Sequence, residues 1–218
     1  MKSYLLTLLG FITFLSEPLR GAPRTVVVFG DSITEGSALP KEQRGQAWIQ
    51  VVEVESHGQL KLINEGKGGR PTDSVGEFDA MLQRRPQADL LVIALGTNDS
   101  RDVSGQCVPK ALANVRQMVK HARDKYGAGL PILLLGPPNI RKDALGPSKP
   151  IADQREANLR ALGDGFAEMG KELHCDYLSL FGSIPPASLT KDGVHPDVPG
   201  NAALAKLILP KLLEAGKK

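Results

Sequence analysis

Ser32 has the sequence surroundings of a nucleophile. It follows the apolar run 25–29 and a glycine, Gly30, which predicts a tight strand-to-helix turn with an exposed hydroxyl. The same turn would bring the Ser32 backbone N–H close to a helix start, where it could donate to an oxyanion. Taken alone, the tripeptide Gly30-Asp31-Ser32 favours a simpler role for the serine, as the N-cap of a helix.

The pair Asp192 and His195 favours a catalytic role for Ser32 over a role as N-cap. A carboxylate three residues before an imidazole on one loop can accept the Nδ1–H of the ring. The opposite nitrogen, Nε2, is then directed outward as a general base in a defined tautomer. The alternative is a solvated loop with a local Asp–His contact. We expect the other histidines, His57, His121 and His174, to be surface residues without such a partner.

Gly69 and Asn98 are of the types that an oxyanion hole needs. Gly69 lies in a glycine-rich loop, and its N–H can approach a substrate closely because no Cβ intervenes. Asn98 follows the apolar run 89–95 and can donate from a fixed side-chain amide. Losing one such donor typically lowers turnover by about 100- to 1,000-fold. The alternative for each residue is simple turn formation.

Other classes of ligand have little support. The loop 66–71, GKGGRP, has Pro where a dinucleotide fingerprint needs its last Gly, and it lacks the Gly-Lys-Ser/Thr ending of a P-loop. No His, Cys and Asp cluster has metal-ligand spacing, so we expect no metal site. With 27 Lys and Arg against 24 Asp and Glu, the net charge is only +3, which argues against nucleic acid as a partner.

The elements that would position these residues alternate regularly. Short apolar runs predict strands at 25–29, 60–63, 89–95, 132–135 and 176–180. Between and after them, helical patterns lie near 46–57, 72–85, 109–126, 152–173 and 200–215. Several strands are continuously apolar, as is typical of strands buried on both faces of a parallel sheet. The alternation predicts a three-layer α/β/α sandwich with a five-stranded parallel sheet.

This architecture brings the candidate residues together. In an open parallel sheet, ligands bind outside the carboxyl ends of the strands. Ser32, Gly69, Asn98 and the loop with Asp192 and His195 each follow a predicted strand, so we expect them at one edge.

The two cysteines are predicted to be free thiols. Cys107 precedes a helix at the carboxyl edge of the sheet, and Cys175 precedes the fifth strand at the opposite edge. Their Cα atoms should therefore lie beyond the ~7 Å limit for a disulfide.

Residues 1–22 are predicted to be a signal peptide and residues 23–218 the folded domain. Lys2 supplies a positive start, and 4–15 is a charge-free apolar run, shorter than the about 20 residues that cross a bilayer. We therefore expect a secreted or periplasmic protein with no stable membrane insertion after cleavage. The alternatives are an uncleaved membrane anchor and a buried first helix.

Four blocks together resemble the SGNH hydrolases, also called the GDSL esterase/lipase family. They are Gly30-Asp31-Ser32, the Gly69 loop, the block 96–99 and Asp192-x-x-His195-Pro196, in the family's order across residues 25–212. The resemblance implies a flavodoxin-like fold and a serine esterase without a cofactor. Ser32 would be the nucleophile, His195 the base and Asp192 its orienting partner. The Ser32 N–H, the Gly69 N–H and the Asn98 side chain would form the oxyanion hole.

The substrate expected is a small-molecule or glycan ester with a short acyl group, such as an O-acetylated carbohydrate. Asp31, structural by the same resemblance, and Arg70, which we expect at the rim of the site, are the candidate substrate-binding residues. The shared blocks leave a lysophospholipase, thioesterase or arylesterase as alternatives. A carbohydrate-binding module that has lost catalysis is the alternative from another class. The oligomeric state is not predicted.

Overall fold

Five parallel strands form the centre of the structure, a computed structural model that describes residues 22–217. The strands are β1 (Arg24–Gly30), β2 (Leu60–Gly66), β3 (Leu90–Ala94), β4 (Ile132–Leu135) and β5 (Asp176–Leu178). They lie in the order β2-β1-β3-β4-β5, and every adjacent pair is parallel. The predicted five-stranded parallel sheet is therefore confirmed.

Helices cover both faces of this sheet. In residues 22–217 the α-helices are α1 (Ser32–Glu35), α2 (Trp48–Glu55), α3 (Val75–Arg84), α4 (Cys107–Tyr126), α5 (Ala152–Glu172) and α6 (Val198–Glu214). The prediction missed only α1 among them, because a single turn is too short to show helical periodicity. The others begin or end within a few residues of their predicted bounds.

The core is divided into two layers by the alternation of side chains along the strands. Val26 and Val28 of β1 pack with α2 and α6 on one face. Val27 and Phe29 pack with α3, α4 and α5 on the other. All four side chains are completely buried, which accounts for the continuously apolar sequence of β1. The predicted three-layer α/β/α sandwich is confirmed.

The two cysteines lie where the prediction placed them. Cys107 is the first residue of α4, two positions before the predicted helix start, and Cys175 directly precedes β5. Both are buried, free thiols.

The predicted signal peptide lies outside the described residues except for Ala22. Within residues 22–217, no helix combines the length and apolar character needed to cross a membrane.

Candidate active site

Ser32 is the first residue of α1, directly beyond β1. The N-cap is Asp31, whose Oδ1 accepts a hydrogen bond from the Ile33 N–H at 2.9 Å. The sequence left open whether Ser32 itself caps the helix, and the structure assigns that role to its neighbour. The Ser32 hydroxyl is therefore not needed by the helix end and is available for another partner.

That partner is His195. Its Nε2 lies 2.8 Å from Ser32 Oγ, and its Nδ1 lies 2.7 Å from Oδ2 of Asp192. The three side chains form one hydrogen-bonded chain, although Ser32 and His195 are 163 positions apart in the sequence. In this arrangement the carboxylate accepts the Nδ1–H, so Nε2 is unprotonated and can accept the proton of the hydroxyl.

Asp192 is held in its ionised form by the surrounding loop. Partial burial raises the pKa of its carboxyl, but hydrogen bonds from the His195 N–H and ring, the Val194 N–H and the Thr190 hydroxyl outweigh this effect. The net result is a pKa well below the usual range. The carboxylate therefore keeps its negative charge next to the imidazole at neutral pH.

The loop that carries Asp192 and His195 is fixed at both ends. On one side, the Arg141 N–H donates to the Gly193 carbonyl at 2.7 Å, and its guanidinium donates to the Thr190 carbonyl at 3.3 Å. On the other side, the Asn201 amide, in α6, donates to the Pro196 carbonyl at 3.1 Å. The position of the imidazole is thus determined by contacts with a distant segment, at Arg141, and with the following helix, at Asn201.

Gly69 and Asn98 lie in two linked loops at the same site as Ser32. Nδ2 of Asn98 donates to the Arg70 carbonyl at 3.1 Å, which links the Asn98 loop to the residue after Gly69. Gly69 has a φ of +73°, a conformation that favours glycine. With Ser32 and His195, both residues line one open cleft of about 480 Å³. The structure thus brings together all five residues that the sequence suggested for the triad and the oxyanion hole.

Arg70 is not at the rim of this cleft, which corrects our expectation. Only 7% of the residue is exposed. Its guanidinium lies 4.0 Å from the ring centre of Phe29, and Nη1 donates to the carbonyls of Gly30, at 2.7 Å, and Glu65. An ion pair to Glu77 at 3.1 Å completes its contacts. Because these protein groups use its donors, Arg70 holds the ends of β1 and β2 together instead of facing a substrate.

Asp31 is also placed beneath the cleft and does not line it. It is 2% exposed. Burial raises the pKa of its carboxyl from 3.8 to about 6, although hydrogen bonds from the Ile33 N–H and Thr97 oppose the shift. This position agrees with the structural role implied by the resemblance and not with a contact to substrate.

The cleft has lining residues that the sequence analysis did not identify. They are Ser37, Ala38, Arg101, Thr190 and Lys191. Each lies within a few positions of a residue that was identified, so proximity to the motifs was the available signal. Four of them, Ser37, Arg101, Thr190 and Lys191, add polar or charged side chains to the lining of the cleft.

Carboxylates near the site are engaged by protein donors. Asp192 accepts from His195, and Asp99 accepts from the N–H and hydroxyl of Thr72. In the part of the chain that the structure describes, no group of three or more His, Cys, Asp or Glu side chains could hold a metal ion.

Comparison with known proteins agrees with this description. The model of the GDSL-like lipase/acylhydrolase family matches residues 28–203. The GDSL lipase Rv0518 of Mycobacterium tuberculosis is 27% identical over 193 residues, which are 85% of this chain and 80% of that protein. The esterase TesA of Pseudomonas aeruginosa is 26% identical over 216 residues, 97% of this chain and 98% of TesA.

A solved structure shares the fold. It is that of a carbohydrate acetylesterase family member from Sinorhizobium meliloti, with a TM-score of 0.75 and 21% identity over 87% of this chain and 97% of that one. The segment that matches the family model begins in β1, before Ser32, and ends in α6, after His195. The chain therefore belongs to the GDSL-like lipase/acylhydrolase family and is a carboxylic ester hydrolase.

Proposed function

We propose that the protein is an exported serine esterase that removes short acyl groups, acetyl above all, from polar alcohols such as carbohydrates. Ser32 is its nucleophile, His195 its general base and Asp192 the group that orients the imidazole. The observation that carries this proposal is the hydrogen-bonded chain from Ser32 Oγ to His195 Nε2, 2.8 Å, and from His195 Nδ1 to Asp192, 2.7 Å.

The first half of the reaction acylates the serine. His195 Nε2 takes the hydroxyl proton as Ser32 Oγ bonds to the ester carbonyl carbon. The negative oxygen of the tetrahedral intermediate accepts hydrogen bonds from the Ser32 and Gly69 N–H groups and from the Asn98 amide. The bond to the alcohol oxygen then breaks, and the imidazolium gives its proton to the leaving alcohol.

The second half of the reaction releases the acid. A water molecule attacks the acyl-serine carbonyl while His195 takes its proton, and the same three donors hold the oxyanion. The bond between the acyl carbon and Ser32 Oγ breaks, and the proton returns to the serine. Asp192 stays ionised throughout and stabilises each imidazolium.

The small size of an apolar cavity supports a short acyl group. A cavity of about 10 Å³ is lined by Ser32 and His195 and, among other residues, by the apolar side chains of Ile33, Leu39 and Pro196. A space of this size holds about one water molecule, which matches a methyl group and not a long alkyl chain. We expect an acetyl methyl to occupy this cavity, whereas a fatty chain would extend beyond it into the open cleft.

Polar side chains at the cleft support the proposal that the alcohol part of the ester is polar. Ser37, Thr190 and Lys191 give its rim hydroxyl and ammonium groups that can hydrogen-bond to a sugar. At 21% identity, the likeness to the acetylesterase from Sinorhizobium meliloti shows the fold alone. The proposal of a polar alcohol is therefore based on the residues of the cleft. Export is supported by the charged and then apolar pattern of residues 1–15.

The test is kcat/KM of residues 23–218 on p-nitrophenyl esters from acetate to palmitate. We expect a maximum at acetate or butyrate that is abolished in Ser32→Ala and retained in Ser148→Ala, a control outside the cleft. A maximum at long chains would assign the enzyme to lipid or thioester substrates instead. Activity that survives in Ser32→Ala would refute the nucleophile, and no activity at all would favour a binding module.

A further inference from the structure

Two cationic side chains at the cleft have no partner in the described part of the chain. Arg101 and Lys191 are exposed and line the cleft of about 480 Å³ together with Ser32 and His195. Within residues 22–217, neither side chain makes a hydrogen bond or lies within 4.0 Å of a carboxylate. Their five guanidinium donors and three ammonium donors are thus available to a ligand in the cleft.

The carboxylates closest in sequence face other groups. Asp192, next to Lys191, is saturated by His195, Val194 and Thr190. Asp102, next to Arg101, accepts from the Ser104 N–H at 2.8 Å and lines a different cavity.

A buried arginine adds positive charge behind Arg101. Arg155, in α5, is 1% exposed, and its Nε donates to the Ser100 hydroxyl at 3.3 Å. It has no carboxylate partner in the described part of the chain, and its Nη2 makes no hydrogen bond there. Burial, followed by the positive charge of Arg101, lowers the pKa of Arg155 to about 10. Because neither guanidinium group is paired with a carboxylate within residues 22–217, this side of the cleft favours an anion.

We propose that the substrate is an ester whose alcohol part carries an anionic group, a carboxylate or a phosphate, bound by Arg101 and Lys191. This inference rests on the proposed esterase function and narrows its substrate class to acylated acidic compounds, such as acetylated uronic acids or sugar phosphates. The two cations would orient the alcohol part while the acyl carbonyl lies at Ser32. They act as specificity-determining residues, because an ester without the anionic group can still reach the nucleophile.

The test compares matched aryl acetates. The anionic probes are 4-acetoxybenzoate and 4-acetoxyphenyl phosphate, and the neutral reference is 4-acetoxybenzamide. In the wild type we expect higher kcat/KM for at least one anionic probe, with the ratio of anionic to neutral falling as salt is added. In Arg101→Gln and Lys191→Gln, that ratio should fall by about three- to tenfold each, as is typical of exposed charge-assisted contacts. The anionic probe whose ratio falls more in these variants shows whether the site prefers a carboxylate or a phosphate on the substrate.

Two controls separate charge at the cleft from general effects. Arg101→Lys should keep most of the preference because it keeps the charge, and Lys206→Gln, an exposed lysine on α6, should keep all of it. An unchanged ratio in the double variant, a wild type without preference, or an equal loss in Lys206→Gln would each overturn the inference. In these cases the neutral probe would still be hydrolysed through Ser32, whereas hydrolysis of none of the probes would overturn the esterase proposal as well.

Discussion

The Asp99 carboxylate accepts two hydrogen bonds from a single residue, Thr72: one from its N–H at 3.0 Å and one from its hydroxyl at 2.5 Å. Thr72 lies three residues after Gly69 in the loop between β2 and α3, and Asp99 directly follows Asn98. The pair therefore joins the two loops that carry the proposed oxyanion donors. It fixes their separation without contacting the cleft itself, since neither residue lines it.

We predict that Asp99→Ala lowers kcat by about ten- to a hundredfold with a smaller change in KM, because misplaced donors weaken the transition state more than the bound ester. Asp99→Asn retains an acceptor for the Thr72 N–H and should lose less. Kinetics on p-nitrophenyl acetate, with thermal unfolding to show that each variant is folded, would check this. If kcat/KM of Asp99→Ala fell only because KM rose, with kcat unchanged, a positioning role for Asp99 would be contradicted.

A glycine between Asp192 and His195 provides a second prediction. Gly193 has a φ of +72°, and a Cβ there would lie 2.5 Å from the Arg141 carbonyl oxygen. Gly193→Ala should therefore shift the loop and lower kcat/KM by about ten- to a hundredfold. Gly58→Ala is the matched control, because Gly58 has a φ of +79° with open space around it.

Both substitutions should cost some stability, about 1–3 kcal/mol each, through the strained backbone. Only Gly193→Ala should lose activity. Comparable activity in the two variants would show that the loop tolerates displacement and that its geometry is not critical.

The buried Asp31 predicts a dependence of stability on pH. Its pKa is raised from 3.8 to about 6 in the folded state, chiefly by burial. The proton on Asp31 therefore stabilises the folded state fully below pH 3.8, and this stabilisation is lost as the pH rises through about 6. Relative to Asp31→Asn, which can still cap α1, the wild type should lose up to about 3 kcal/mol of unfolding free energy across this range. Denaturant unfolding of both proteins from pH 4 to about 8 tests this, and parallel stability curves would contradict it.

The two thiols should react slowly in the folded protein. Burial first, and then the charges of Asp99 and Asp102, raise the pKa of Cys107 to about 11, and burial also raises that of Cys175. At pH 8 few thiolates are present and access is limited, so a disulfide reagent such as DTNB should label the native protein slowly. After unfolding without reductant, it should titrate 2 thiols per chain. A count near zero would reveal a disulfide.

The central strands could be predicted because strands that are buried on both faces have continuously apolar sequences. The run 132–135 is apolar throughout and has the predicted bounds. Strand β2 is different: it continues three residues beyond its predicted end, through Asn64 and Glu65 to Gly66. These polar residues are satisfied by tertiary contacts, since the Asn64 amide donates to the Thr34 carbonyl and Glu65 pairs with Arg85. No local pattern could indicate such partners.

In the site, too, some features could be predicted from the local sequence and others depend on tertiary contacts. The relation of Ser32, Asp192 and His195 could be predicted from motif order and strand ends. The orientation of Arg70 could not, because it depends on the carbonyls of Gly30 and Glu65, which the fold brings within reach of its guanidinium. Side chains with several donors can turn inwards as easily as outwards, and their sequence position does not distinguish the two.

The most direct test of the account is to ask whether Ser32 forms a covalent bond with an acyl-transfer inhibitor. The protein would be treated with a fluorophosphonate and digested, and the modified peptide would be identified by mass spectrometry. We predict a single phosphonyl group on Ser32, no labelling in Ser32→Ala and much slower labelling in His195→Ala, whose serine lacks its base 2.8 Å away. Labelling of another residue, or a rate that is unchanged in His195→Ala, would contradict the central claim that His195 activates Ser32.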